Sequence, residues 1–197
     1  TNEYLSSYAL DYVINVHNPQ RIAFRDKTLS ILEGEMAKDA EVKLKYSHKK
    51  KGVSNSYKRF KGEIRGLNKL NAIEVKRDLE KKFTEAAKNS PPHTDKYGSI
   101  ISQLEGLYKE QEKYAMARAY FLELMYYSGP DMLNFAVGFR PVVGQLSSHS
   151  KNKEQVDKAL AKLELKSKTY FKNLDLPTEK KLFAQLLQVY YENVDKS

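Results

Sequence analysis

The stretch Asn71-Ala72-Ile73-Glu74-Val75-Lys76-Arg77-Asp78-Leu79-Glu80-Lys81-Lys82-Phe83 reads as the opening turns of an amphipathic helix. Asn71 has the form of an N-cap, and Glu74 stands where a capping box needs its reciprocal carboxylate. Val75, Leu79 and Phe83 recur at helical spacing, so they share one face, and the helix is predicted to end near Lys88. Asn89-Ser90-Pro91-Pro92 then forms the clearest linker of the chain.

The same period extends outward in both directions. Upstream, Leu5, Ala9, Tyr12, Val13 and Val16 predict a helix from about Tyr4 to His17. Asn18-Pro19 interrupts it, because a residue before proline is pushed out of the α region, and Pro19 suits the first turn of the next helix. That helix carries Ile22, Leu29, Leu32 and Met36 and is expected to continue through Val42 and Tyr46 toward Lys50, with a break at Gly52. Ser54 to Leu70 follows, with Tyr57, Phe60, Ile64 and Leu67 as its stripe.

Downstream, Thr94 is expected to begin the longest helix, reaching about Tyr127 through Ile101, Leu104, Tyr108, Ala115, Leu122 and Met125, until Gly129-Pro130 stops it. A short apolar helix from Met132 to about Leu146 is open to division at Gly138 and Pro141. A polar loop over 147–152 leads to Val156, Leu160, Leu163 and Tyr170. Leu176-Pro177-Thr178 restarts a last helix with Leu182, Leu186 and Tyr190. No strand-like alternation of useful length and no internal repeat occurs. The expected fold is all-α: a multi-helix domain of antiparallel helices with one long central helix. It should form a single domain over residues 1–197, with a sub-boundary at 89–94.

Composition narrows the functional classes. Apolar residues are 41% and charged residues 30% of the 197, a balance that supports a packed core and argues against disorder. No apolar run approaches the ~20 residues of a membrane span, and the opening residues lack the pattern of a signal peptide. With no cysteine, disulfides, thiol nucleophiles and thiolate metal sites are excluded. The net charge of +9 is concentrated: residues 38–82 hold fifteen Lys/Arg against six Asp/Glu, which accounts for all of it. Such a segment can attract nucleic acid, anionic lipid or acidic peptide, although a solvated helix face is the commoner reason. Nucleic-acid binding would rest on charge alone, without a motif or an interleaved aromatic platform, and is not expected. The start at Thr1 and the unfinished look of Val194-Asp195-Lys196-Ser197 suggest a piece of something longer.

No complete catalytic apparatus is legible. His17, His48, His93 and His149 fall at helix ends or in loops, without the i,i+4 partner of an HExxH site, so no metal ligand is predicted. No glycine-rich phosphate loop and no serine elbow occur, and no cofactor is expected. Glu33/Glu35 and Glu110/Glu112 are i,i+2 pairs that point to different helix sides, a poor acid/base arrangement. The 14 tyrosines fall mostly at stripe positions, as buried phenols do.

One stretch departs from plain helical packing: Gly52-Val53-Ser54-Asn55-Ser56-Tyr57-Lys58-Arg59-Phe60-Lys61-Gly62-Glu63. Asn55, read as the start of a helix after a glycine break, can cap backbone N–H groups, or its amide oxygen can accept a hydrogen bond from a ligand. Gly62 and Gly66 share a face and permit close approach of another backbone or a ligand, with close helix packing the more frequent reason.

These residues, together with others along the chain, carry a resemblance. Thr1-x-x-Tyr4-x-Ser6-Ser7, Asn18-Pro19, Lys45-Tyr46-Ser47, Ser54-Asn55-x-x-Lys58, Gly62-Glu63, Gly66-Leu67 and Tyr170-Phe171-Lys172 occur in this order. The pattern resembles the bacterial dipeptidyl-peptidase 7 and 11 group, serine peptidase family 46, densely from Thr1 to about Phe83 and more thinly afterwards. The resemblance implies a larger enzyme that releases dipeptides from peptide N-termini. Its chymotrypsin-like catalytic domain would hold the Ser, His and Asp, and an inserted helical domain would cover the cleft. This chain looks like that helical domain. Nothing in it matches the family's Gly-Asn-Ser-Gly nucleophile motif, so no catalytic residue is assigned and the fragment alone is expected to be inactive. In the family an asparagine of the helical domain helps hold the substrate's α-amino group, and Asn55 is the matching position. Oligopeptide substrates, the catalytic domain of the same chain, a periplasmic or secreted location and room for a homodimeric parent are implied likewise. The rival reading is an independent helical protein–protein interaction module, which uses its apolar stripes or its basic segment to dock a partner.

Overall fold

A computed structural model describes residues 5–147 and 152–194; Thr1, Tyr4, His149 and the 195–197 end of the sequence lie outside the described residues. Among the described residues the secondary structure is helical throughout, and the all-α expectation holds. The elements are α1 (Ser7–Asp11), a π-helical segment (Tyr12–His17), α2 (Asn18–Met36), α3 (Ala40–Lys69), α4 (Ala72–Lys88), α5 (Pro91–Tyr97) and α6 (Ile100–Leu122). A second π-helical segment (Glu123–Tyr127), α7 (Asp131–Val137), α8 (Arg140–Ser147), α9 (Lys153–Asn173) and α10 (Leu176–Asn193) follow.

Several predicted boundaries move, each for a local reason. Pro19 does not end a helix. Its ring would collide with the carbonyl four residues back, and the chain avoids this by widening into the π segment, where the Asn18 N–H reaches Val13 O. The break expected at Gly52 lies instead at residues 37–39. There Asp39 Oδ1 accepts from the N–H groups of Glu41 at 2.6 Å and Val42 at 3.3 Å, capping α3. Gly52 costs a helix only about 1 kcal/mol, which does not outweigh the burial of Val42, Tyr46, Val53 and Phe60 along one side of α3. α3, at 30 residues, is therefore the longest helix, and the one expected to start at Thr94 begins at Ile100. Asn71 does precede α4, but in the left-handed region (φ 48°, ψ 41°) and without a side-chain cap bond, so no capping box forms. The division near Gly138 is as expected, between α7 and α8.

The described chain forms two compact units, and the 89–94 stretch lies inside the first of them. The first contains residues 5–23, 56–120 and 194. Its core includes Ala9, Leu10, Ile14, Phe60, Ala87, Ala115, Ala119 and Tyr120. Glu80 of α4 is buried here and braces α1: its carboxylate oxygens accept from Ser7 N–H at 2.7 Å and from the Ser7 hydroxyl at 2.5 Å. The anion thus meets the positive end of α1. The predicted α4 stripe is largely outside this core, with Val75 61%, Leu79 50% and Phe83 43% exposed.

The second unit contains residues 24–55, 121–147 and 152–193. Phe24, Ile31, Leu32, Val42, Tyr46, Val53, Leu124, Leu182 and Leu186 are buried in it. Within that apolar interior Arg25 meets Glu123 at 3.0 Å, and Glu123 also accepts from the Ser128 hydroxyl at 2.7 Å. A charge so buried is tolerable only when paired in this way. Gly129 closes the second π segment: a Cβ there would lie 1.8 Å from Leu124 O. α9 buries no residue fully, and Leu160, Leu165 and Phe171 are exposed.

Candidate functional site

Asn55 lies in the middle of α3, well away from either end, and its side chain is exposed. The helix-start reading of this residue is therefore corrected, and with it the capping role, since interior N–H groups already bond to carbonyls one turn back. The asparagine amide makes no hydrogen bond to any described residue. Asparagine is a mediocre helix former, and here no hydrogen bond to a described residue compensates for it.

Helical spacing places Gly52, Gly62 and Gly66 on the same side of α3 as Asn55. A Cβ built at any of the three would meet nothing within 4 Å. Close packing, the commoner reason for such glycines, thus finds no partner among the described residues. The face is bare backbone, with an uncommitted amide on it. It is also basic: Lys51, Lys58 and Arg59 are exposed without ion pairs among the described residues, Arg59 resting 4.9 Å from the Phe60 ring centre. Some other charges of the basic segment are paired, Lys45 with Glu41, Lys49 with Asp131 and Lys50 with Glu33.

The other residues that carried the resemblance are mostly braces. Asn18 is 1% exposed and donates to Glu63 Oε2 at 3.1 Å, which joins the Asn18-Pro19 and Gly62-Glu63 pieces. The Ser6 side chain accepts from Ala9 N–H and caps α1, while Ser7 meets Glu80. Tyr46 donates to Glu179 at 2.9 Å, Ser47 to Lys43 O, and the Tyr170 ring stacks on Phe135. By contrast, the Ser54, Asn55 and Lys58 side chains hydrogen-bond to no described residue. Sequence spacing could not separate these classes, because side chains that brace the fold and side chains left uncommitted occupy the same motif.

The remaining candidates take ordinary places. His48 and His93 are exposed, and His17 lies against the Tyr12 ring. Among the described residues no cluster of His, Asp or Glu could hold a metal ion. Glu33 and Glu35 turn to different lysines, Lys50 for the first and Lys38 and Lys181 for the second. The tyrosines divide more evenly than expected: Tyr46 and Tyr120 are buried, whereas Tyr114, Tyr127 and Tyr191 are exposed. No helix among the described residues is long and apolar enough to cross a membrane.

A family model described as Peptidase S46 matches residues 1–197. The chain belongs to the peptidase S46 family. It is 29% identical over 196 residues to the Asp/Glu-specific dipeptidyl-peptidase of Flavobacterium psychrophilum, covering 100% of this chain and 27% of that protein. It is 32% identical over 197 residues to the Asp/Glu-specific dipeptidyl-peptidase of Capnocytophaga gingivalis, again 100% of this chain and 27% of the relative. Dipeptidyl-peptidase 7 of Capnocytophaga gingivalis is 29% identical over 195 residues, covering 96% of this chain and 26% of that protein. This peptidase S46 chain thus spans about a quarter of the length of the curated relatives it matches.

Proposed function

We propose that this chain is the substrate-covering helical domain of a serine-type dipeptidyl-peptidase, with residues 1–197 acting as one domain of that enzyme and Asn55 receiving the substrate's free N-terminus. The observation that carries the reading is the uncommitted Asn55 amide on a glycine-bared face of α3. An amide oxygen is a suitable acceptor for an α-ammonium, which has three donors to satisfy. A peptide carrying further residues on the N-terminal side of its leading dipeptide would meet the roof that the helices form, so hydrolysis would release dipeptides. The nucleophile, base and orienting carboxylate belong to the remainder of the parent, which performs the acyl transfer; this chain alone has no activity. The exposed apolar residues Val75, Leu79 and Phe83 of α4 suit docking against that remainder. The parent acts on oligopeptides, in the periplasm or after secretion, and a homodimeric state is compatible with this role.

The test is Asn55→Ala in the full-length peptidase. Leaving a desolvated ammonium without an acceptor costs about 1–3 kcal/mol, so kcat/KM for dipeptide release falls by roughly 5- to 150-fold while the fold is retained. N-acetylated peptides, which lack the ammonium, should lose the distinction between wild type and variant. Unchanged kcat/KM in Asn55→Ala overturns the assignment.

A further inference from the structure

A hollow of about 210 Å³ opens in the second unit, lined in part by Tyr46, Asp131, Phe135, Lys166, Tyr170 and Glu179. One wall is apolar: the Phe135 and Tyr170 rings line it, stacked on each other with centroids 4.5 Å apart and an interplanar angle of 6°. The polar side is anionic. Glu179 is 1% exposed; its Oε1 accepts from the Tyr46 hydroxyl at 2.9 Å and its Oε2 from the Met132 N–H at 2.8 Å. No cation pairs with it among the described residues, and each of its oxygens keeps a second lone pair. Asp131 gives Oδ1 to the Lys49 ammonium at 2.6 Å and leaves Oδ2 uncommitted. Lys166, the lining cation, is turned to Asn134, donating to its carbonyl at 2.7 Å and its Oδ1 at 2.9 Å. The carboxylate field reaches the ring wall: burial first, then the charges of Glu179 and Asp131, hold the Tyr170 phenol above its ordinary pKa.

We propose that this hollow is a binding site for an organic cation, an ammonium or guanidinium group carried on a flat or short apolar body. The apolar body would lie against the Phe135–Tyr170 wall, where it gains apolar contact area. Its charged head would take the spare acceptors of Glu179 and Asp131, supplying the counter-charge that Glu179 lacks. A closed cavity of ~150 Å³ accepts benzene, so the volume here suits one ring with its cationic head. A neutral isostere keeps only the apolar contact, and an anion meets two carboxylates. Asn55 does not line the hollow, and the inference is independent of the function proposed above.

Ligand-observed NMR on the full-length peptidase, with benzylammonium, benzyl alcohol and benzoate as probes, tests the site. Benzylammonium should bind saturably and at least about tenfold more tightly than benzyl alcohol, with benzoate weaker still. Asp131→Asn, at a half-exposed position, and Tyr170→Leu should each weaken benzylammonium by about tenfold. Asn55→Ala should leave it unchanged, which separates the hollow from the substrate cleft. Absent binding, equal binding of the three probes, insensitivity to both hollow variants, or loss on Asn55→Ala would each overturn the proposal.

Discussion

The Asn18 amide donates to Glu63 Oε2 at 3.1 Å, so two residues 45 positions apart, each beside a helix-disfavouring neighbour, hold α2 and α3 together. Asn18 is almost wholly buried beside Pro19, whereas Glu63 follows Gly62 on an exposed stretch. The bond explains why a polar side chain occupies an interior position at the end of a π-helical turn.

Asn18→Ala should therefore destabilise the chain by about 1–2 kcal/mol, the net worth of a hydrogen bond to a charged acceptor with some packing lost. The expected readout is a lower urea midpoint with an unchanged m-value. In the full-length enzyme the catalytic efficiency of the folded fraction should hold, in contrast to Asn55→Ala.

Tyr46→Phe removes the donor to the buried Glu179 carboxylate and should cost about 1–3 kcal/mol near neutral pH. Its pH dependence has a definite sign. Burial, and next the charge of Glu179, raise the Tyr46 pKa in the folded chain above the ordinary 10.0. The contribution is complete below that unfolded value and drains away as pH climbs above it, because the unfolded phenol ionises first. Stability should fall above about pH 10, less steeply in Tyr46→Phe than in the wild type. Tyr8, Tyr12, Tyr120 and Tyr170 are raised as well, so part of the slope persists.

Glu35 governs the opposite limb. Hydrogen bonds from Lys181 and Lys38 lower its pKa below the ordinary 4.5. A depressed carboxylate stabilises the fold above its unfolded pKa and loses that contribution as pH falls through the folded value. Lys181→Met should shrink the acid-side loss, seen as a flatter dependence of the urea midpoint on pH below about 4.5. An unaltered acid limb would show that the Lys181 contact at 2.5 Å contributes nothing in solution.

The glycines separate architecture from use. Gly129→Ala would force a Cβ into the Leu124 carbonyl and should cost at least about 3 kcal/mol. Gly62→Ala and Gly66→Ala meet no neighbour and should each stabilise α3 by about 1 kcal/mol. If the bared face of α3 receives a peptide or the remainder of the peptidase, the same two variants should lower kcat/KM in the full-length enzyme. Denaturation and peptide hydrolysis measured side by side would check both halves.

Local chemistry determined much of this protein in advance. Helical periodicity, the Gly129-Pro130 stop, the division at Gly138 and the restart at Leu176-Pro177 are short-range effects, and they are legible because helix hydrogen bonds close within four residues. The order of motif residues likewise carried the family, now shown across the whole chain. What only the tertiary structure decided is which side of each helix is buried and which polar groups are spent. Periodicity put Val75, Leu79 and Phe83 on one apolar face, yet these three are exposed while Glu80 of the same helix is buried, where Ser7 offers it two donors across 73 residues of sequence. Gly52 read as a break, yet α3 runs through it, since interior contacts of Val53 and Phe60 outweigh a penalty of about 1 kcal/mol. Burial and hydrogen-bond satisfaction depend on partners far away along the chain, and no local pattern encodes them.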